Sequence, residues 1–134
     1  MPLRVVLRAH GTAIANCVFT TNEVAENAAS APAREQFTRG EAIWGRCFLP
    51  EKPGATRAGD LVDSVTIDGR LAWEQAYDRA LPASAESRSV PYGEVLRTLL
   101  QRLTPGTHHV KLIGRLRRGS KQIPLYQGDF RYVR

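Results

Sequence analysis

The stretch from His109 to Val133 constrains the fold more than any other part of the chain. Val110, Leu112, Gly114 and Leu116 alternate with Lys111, Ile113, Arg115 and Arg117. A period of two puts each set on its own face of an extended strand, whereas a helix would mix them around its circumference. One mainly apolar face and one mainly basic face imply an antiparallel strand with one side against a core and one side wet. Arg118-Gly119-Ser120-Lys121 breaks the alternation as a turn would. Ile123, Leu125, Phe130 and Tyr132 are then expected on the returning strand, with Gly128 as a bulge that resets the register.

The preceding chain carries further strand signals, clearest from Gln36 to Pro50, where Phe37 and the Arg39-Gly40-Glu41 turn precede a strand. Asp68-Gly69 between β-rich runs marks a hairpin turn, because that turn requires positive φ at its central positions; Ser64 to Ile67 and Arg70 to Ala76 are the expected paired strands. Val5 to Leu7, Ile14 to Thr20 and Ala42 to Leu49 are also strand-like, and the last should turn Ile43, Cys47 and Leu49 toward the core. The tract from Asn22 to Arg34 and residues 78–91 read as connections. Between Pro91 and Leu103 the spacing of Tyr92, Val95, Leu96, Leu99, Leu100 and Leu103 is helical. The partial alternation there favours a loop or short strand leading into one or two helical turns, stopped by Thr104-Pro105-Gly106.

A chain of 134 residues with 43% hydrophobic and 24% charged content suits one domain, residues 1–134, with 1–35 less regular than the rest. About seven short strands and at most one short helix predict an all-β fold, a single antiparallel β-sandwich. Around Leu99 and along Leu103-Thr104-Pro105-Gly106-Thr107-His108-His109-Val110 the chain resembles immunoglobulin-like and fibronectin-like sandwiches, over residues 36–134. The resemblance implies Trp44 and Tyr92 as core aromatics, although the Cys…Trp…Cys order of immunoglobulin domains is absent. It is a likeness of fold and carries no function.

Charge locates a surface. The 19 basic and 13 acidic side chains give a net charge of +6. Residues 1–110 hold 12 of each sign, and residues 111–134 hold 7 basic and 1 acidic, so the whole excess sits in the C-terminal hairpin. Lys111, Arg115, Arg117, Arg118, Lys121 and Arg131 are the candidate binding residues. A basic strand face reads first as a solvated edge that resists edge-to-edge aggregation, then as a contact for a protein partner, and last as a holder of phosphates. Few exposed aromatics lie nearby to stack bases, which ranks nucleic acid below a protein partner.

Catalytic and cofactor patterns are not evident. There is no Gly-x-Ser-x-Gly elbow, and Gly114 to Lys121 only echoes a phosphate loop, with Gly-Ser-Lys in the wrong order and no helix following. His108 and His109 are adjacent on a strand and face opposite ways, so they do not chelate one ion. Asp60, Asp63, Asp68 and Glu74 are expected as solvated charges, with Asp68 serving its turn. Cys17 and Cys47 match no zinc spacing and are expected as buried free thiols. A disulfide is the alternative if their strands are adjacent and the compartment oxidising. No apolar run reaches the length of a membrane helix. Polar residues from Thr20 to Asn27 precede the small-residue pattern at Ala29-Ser30-Ala31, which argues against a cleaved signal and for the cytoplasm. The expected role is a non-catalytic, cofactor-free module acting through protein contacts as a subunit or adaptor, with homo-oligomers possible. The alternative is a nucleic-acid-binding accessory protein.

Overall fold

A computed structural model of the chain describes residues 6–7, 14–22, 34–90 and 93–134. Among these the fold is mostly β, with one short helix. In chain order the strands are β1 (Val6–Leu7), β2 (Ile14–Ala15), β3 (Cys17–Thr20), β4 (Gln36–Thr38), β5 (Trp44–Phe48), β6 (Leu61–Ile67), β7 (Arg70–Ala76), β8 (Ser87–Ser89), β9 (Thr107–Arg118) and β10 (Lys121–Val133), and helix α1 (Gly93–Gln101) lies between β8 and β9. Five strands form one sheet in the order β4-β10-β9-β6-β7, three form a second in the order β3-β5-β8, and β1 pairs with β2. All pairs are antiparallel except β4 with β10, which is parallel. These are ten strands, several of only two to four residues, rather than about seven.

The long hairpin forms as its alternation requires: Val110, Leu112, Gly114 and Leu116 are buried. Its irregularity lies at Leu125, between Pro124 and Tyr126, and Gly128 pairs regularly with Leu112. A Cβ at Gly128 would sit 2.5 Å from that of Cys17, so this glycine serves a close approach of β3 and is not the expected bulge. Because the register shifts at Leu125, Tyr126, Phe130 and Tyr132 turn inward, while Ile123 beyond the shift is exposed. The Asp68-Gly69 turn forms with φ of 52° and 82°, both positive as this hairpin needs.

Several elements depart from expectation for local reasons. α1 begins at Gly93 and runs nine residues, burying Leu96 and Leu100, so the helical spacing prevails over the partial alternation. The connection at 78–91 contains β8, whose polar residues Ser87, Arg88 and Ser89 give no apolar alternation to read. Trp44 is 47% exposed and lies outside the core; Tyr92, the other expected core aromatic, falls outside the described residues. Aromatic centre and helix meet in one cluster instead: Phe130 packs edge-on against Phe19 and Phe37, with centroids 5.0 and 5.3 Å apart, and Leu96, Leu100 and Val110 surround them. A second cluster gathers Cys47, Leu61, Leu81, Leu116, Leu125 and Tyr126.

Two covalent or polar stitches fix the three-stranded sheet. Asn16, between β2 and β3, is 1% exposed. Its side-chain amide donates to the carbonyls of Phe48 and Leu125, and its Oδ1 accepts the Gln127 N–H at 2.9 Å. Its backbone N–H donates to Gln127 and its carbonyl accepts from Phe48. One residue thus joins β5 of the small sheet to the free edge of β10 in the large one, with its side-chain donors and acceptor all used. Beside it, Cys17 and Cys47 stand directly opposite each other on β3 and β5 and form a disulfide, so the expected free thiols are not found.

A cross-link spanning 30 residues of sequence limits the unfolded chain and should contribute about 3–4 kcal/mol on the chain-entropy account. Thermal or urea unfolding with and without dithiothreitol is therefore expected to show a clear loss of stability on reduction. Alkylation followed by mass measurement should find no free thiol before reduction; two alkylated cysteines in the untreated protein would contradict this.

Candidate functional site

Three places combine charge with geometry: the interior between β6, β8 and β10, the ends of the β9 strand, and a groove beside Trp44.

The interior site is built across three neighbouring strands. Gly114 on β9 pairs with Tyr126 on β10 and with Asp63 on β6, so these three residues form one row across the sheet. A Cβ at Gly114 would lie 2.2 Å from the Tyr126 ring, which means the ring occupies the space a side chain would take. Lying over the glycine, Tyr126 donates its hydroxyl proton to Asp63. From β8, Arg88 reaches over and donates to both Asp63 oxygens at 2.8 Å and to the Tyr126 hydroxyl. The Tyr77 ring lies 4.4 Å under its guanidinium. Asp63 is 3% exposed, contrary to the expectation of a solvated carboxylate. Burial is the largest single influence on Arg88 and acts to weaken its charge, but the Tyr126 oxygen and Asp63 outweigh it and raise its pKa. With Asp63 and Tyr126 buried and the Arg88 side chain 10% exposed, the group holds the two sheets together. Arg88 and Tyr126 were not among the expected site residues. The signal for Asp63 was present: it stands between Leu61 and Val65 on the inward side of its strand.

At the other end of β9 the two histidines face different acids. His108 Nε2 donates to the Thr104 carbonyl at 2.7 Å and Nδ1 lies 2.6 Å from Asp68 Oδ2, while Asp68 Oδ1 accepts the His109 N–H at 2.9 Å. His109 Nε2 pairs with Asp129 at 2.6 Å. Two acceptors on one ring favour the doubly protonated imidazole, so the Asp68 hydrogen bond and the Thr104 carbonyl raise the His108 pKa. Hydrogen bonds from His108 and from the His109 N–H lower that of Asp68. This cluster ties the β6–β7 turn to the loop after α1. Among the described residues no three metal-ligating side chains come together.

The basic residues of the hairpin divide by role. Register places Lys111, Arg115, Arg117 and Arg131 on the outer face of the five-stranded sheet, with Asp129 directly opposite Lys111. Arg118 donates to the carbonyls of Pro53 and Ala55 and latches the 50–60 loop against the hairpin, and Lys121 faces it across the turn. Four of the six expected residues thus share a surface, and Arg118 is engaged in holding a loop.

The groove has a volume of about 810 Å³ and runs between the segment 39–46 and α1. Ile43, Val90, Leu96, Leu100 and Tyr132 supply apolar lining and Trp44 stands exposed on its wall. Arg39, Arg46, Arg97 and Arg134 border it together with Glu41 and Glu94. Sequence reading missed it because its walls come from segments far apart in the chain.

Two outcomes follow. Gly114→Ala is expected to push Tyr126 off Asp63 and destabilise by more than the about 1–3 kcal/mol of simple overpacking, measured by urea unfolding; a near-neutral result would contradict the row described above. For His108, whose pKa is raised on folding, the stabilisation is complete below its unfolded value of 6.5 and lost as pH rises through the higher folded one. For Asp68, lowered on folding, it is present above 3.8 and lost as pH falls through the lower folded value. The stability difference between wild type and His108→Asn should therefore be largest between about pH 4 and 6.5 and shrink on either side; a difference that grows above pH 7 would exclude the charged pair. Compared with known protein families, curated proteins and solved structures, the chain matches none.

Proposed function

We propose that this protein is a non-catalytic module, an immunoglobulin-like β-sandwich in type, that acts through contact with a protein partner as a subunit or adaptor. The observation that carries this reading is Trp44, 47% exposed on the wall of a groove with an apolar lining and arginines at its border. Tryptophan and arginine are the side chains that most often dominate the energetics of protein interfaces, and an exposed indole beside apolar surface gains by being covered. The ionisable groups with special environments, Asp63, Arg88 and His108, have partners within the fold, which fits structural roles for them. We infer further that the module works in an oxidising compartment, where a cross-strand cystine persists, rather than in the cytoplasm. No helix among the described residues is long and apolar enough to cross a membrane.

A second reading rests on Lys111, Arg115, Arg117 and Arg131 sharing one sheet face. Four such cations on duplex phosphates would give a log-log salt slope of about −3 to −4. The two readings separate by affinity capture from the native source with wild type, Trp44→Ser and Arg115→Glu/Arg117→Glu, each verified as folded by its thermal melt. The groove reading expects a protein partner kept by wild type and the double variant and lost by Trp44→Ser. Capture unaffected by Trp44→Ser would overturn it. Salt-sensitive nucleic-acid binding lost only in the double variant would establish the alternative.

A further inference from the structure

The charges around the groove do not cancel. Glu41 lines it, yet its carboxylate accepts from both Arg34 guanidinium nitrogens and from the Thr38 N–H and hydroxyl. Arg34, followed by Thr38, holds the Glu41 pKa down at about 2, so this acid stays ionised and is matched by a cation outside the groove. Arg46 donates to the Ser87 hydroxyl at 3.0 Å, and Arg134 donates to the Leu103 carbonyl, a neutral partner that leaves its positive charge standing. Arg39 and Arg97 are exposed, and their side chains make no hydrogen bond or ion pair among the described residues. Leaving Arg46 aside, the guanidinium groups of Arg39, Arg97 and Arg134 therefore face the groove against the carboxylate of Glu94. Low-dielectric walls focus such a potential into the cleft rather than letting it spread into solvent.

We propose that the groove binds an acidic peptide segment that carries a large apolar side chain, with the apolar side chain against Trp44 and the lining and the carboxylates on Arg39 and Arg97. The assignment rests on the protein-partner reading above and specifies its chemistry. Guanidinium groups present a planar fork that matches a carboxylate in two-point contact, and such pairs combine geometric selectivity with charge. The groove volume lies in the range of built ligand sites, enough for a few side chains. A nucleic-acid backbone fits this place poorly, because it would set phosphates against Ile43, Leu96 and Leu100, and a desolvated charge without a partner is costly.

The chain has two tryptophans, so Trp73→Phe leaves Trp44 as the single indole and its emission as a local reporter. This variant is titrated with a capped heptapeptide in which a central leucine–phenylalanine pair is flanked by glutamates, and with the counterpart bearing lysines. The glutamate peptide is expected to shift Trp44 emission to the blue and to bind at least tenfold more tightly than the lysine peptide. The preference should weaken in high salt and reverse in Arg39→Glu/Arg97→Glu, whose melting temperature should stay near that of its parent because both sites are exposed. Equal binding of both peptides, or a preference untouched by charge reversal, overturns the acidic-peptide assignment while leaving protein contact at the groove intact. Binding of neither peptide also overturns it; the broader reading then stands or falls with partner capture by Trp44→Ser.

Discussion

The contact on which the rest of this structure depends is the buried Asp63–Arg88–Tyr126 group. Asp63 belongs to one sheet, Arg88 to the other, and the tyrosine reaches the acid only because Gly114 has no side chain. A carboxylate 3% exposed is tolerable only when its charge is matched and its oxygens are hydrogen-bonded. Here both conditions are met by a guanidinium whose far side is covered by the Tyr77 ring. The apolar residues around it, Leu61, Leu116 and Leu125 among them, exclude water from the contact. Such a group fixes register as well as distance: sliding β8 by one residue would turn Arg88 to the other face and strand the acid.

Much of the fold could be read in the sequence where a pattern was local. The alternation of 109–118, the Asp-Gly turn and the helical spacing of Leu96 and Leu100 each report a single element whose faces differ in polarity. What escaped depended on meetings between distant segments. The parallel pairing of β4 with β10 has no local signature, and β8 is polar because its central residue serves the interior group. Asn16 sits inside what reads as one continuous strand, yet its side chain takes the place of a backbone partner for β10. Asp63 could have been recognised as buried from the inward phase of Leu61 and Val65. Its partner could not, since nothing near Arg88 distinguishes it from a surface cation.

The same distinction separates the two candidate surfaces. Counting charge along the chain points to the hairpin, because that is where the formal excess lies. Structure redistributes it: Arg118 is engaged with loop carbonyls, Lys111 stands opposite Asp129, and Arg34 is matched to Glu41. The groove, by contrast, collects Arg39, Arg46 and Arg97 from the body of the chain, whose neutrality by count hides their placement, and Arg134 from its C-terminal end. Trp44 illustrates the point. As a sequence feature it resembles a core aromatic, and as a structural one it stands 47% exposed on the wall of the groove. The interior polar group bears on this indirectly, since it holds β5 and β8 of the small sheet, which form one wall, against the large sheet that supplies Tyr132.

The most direct test of this account is a double-mutant cycle on the interior pair, using Asp63→Leu, Arg88→Met and both together, followed by urea unfolding. Each single change strands a buried charge and is expected to cost about 3–5 kcal/mol, while the double change removes both charges and should cost well below the sum. Additive losses within about 0.5 kcal/mol would contradict it, because they would mean that Asp63 and Arg88 do not hold each other.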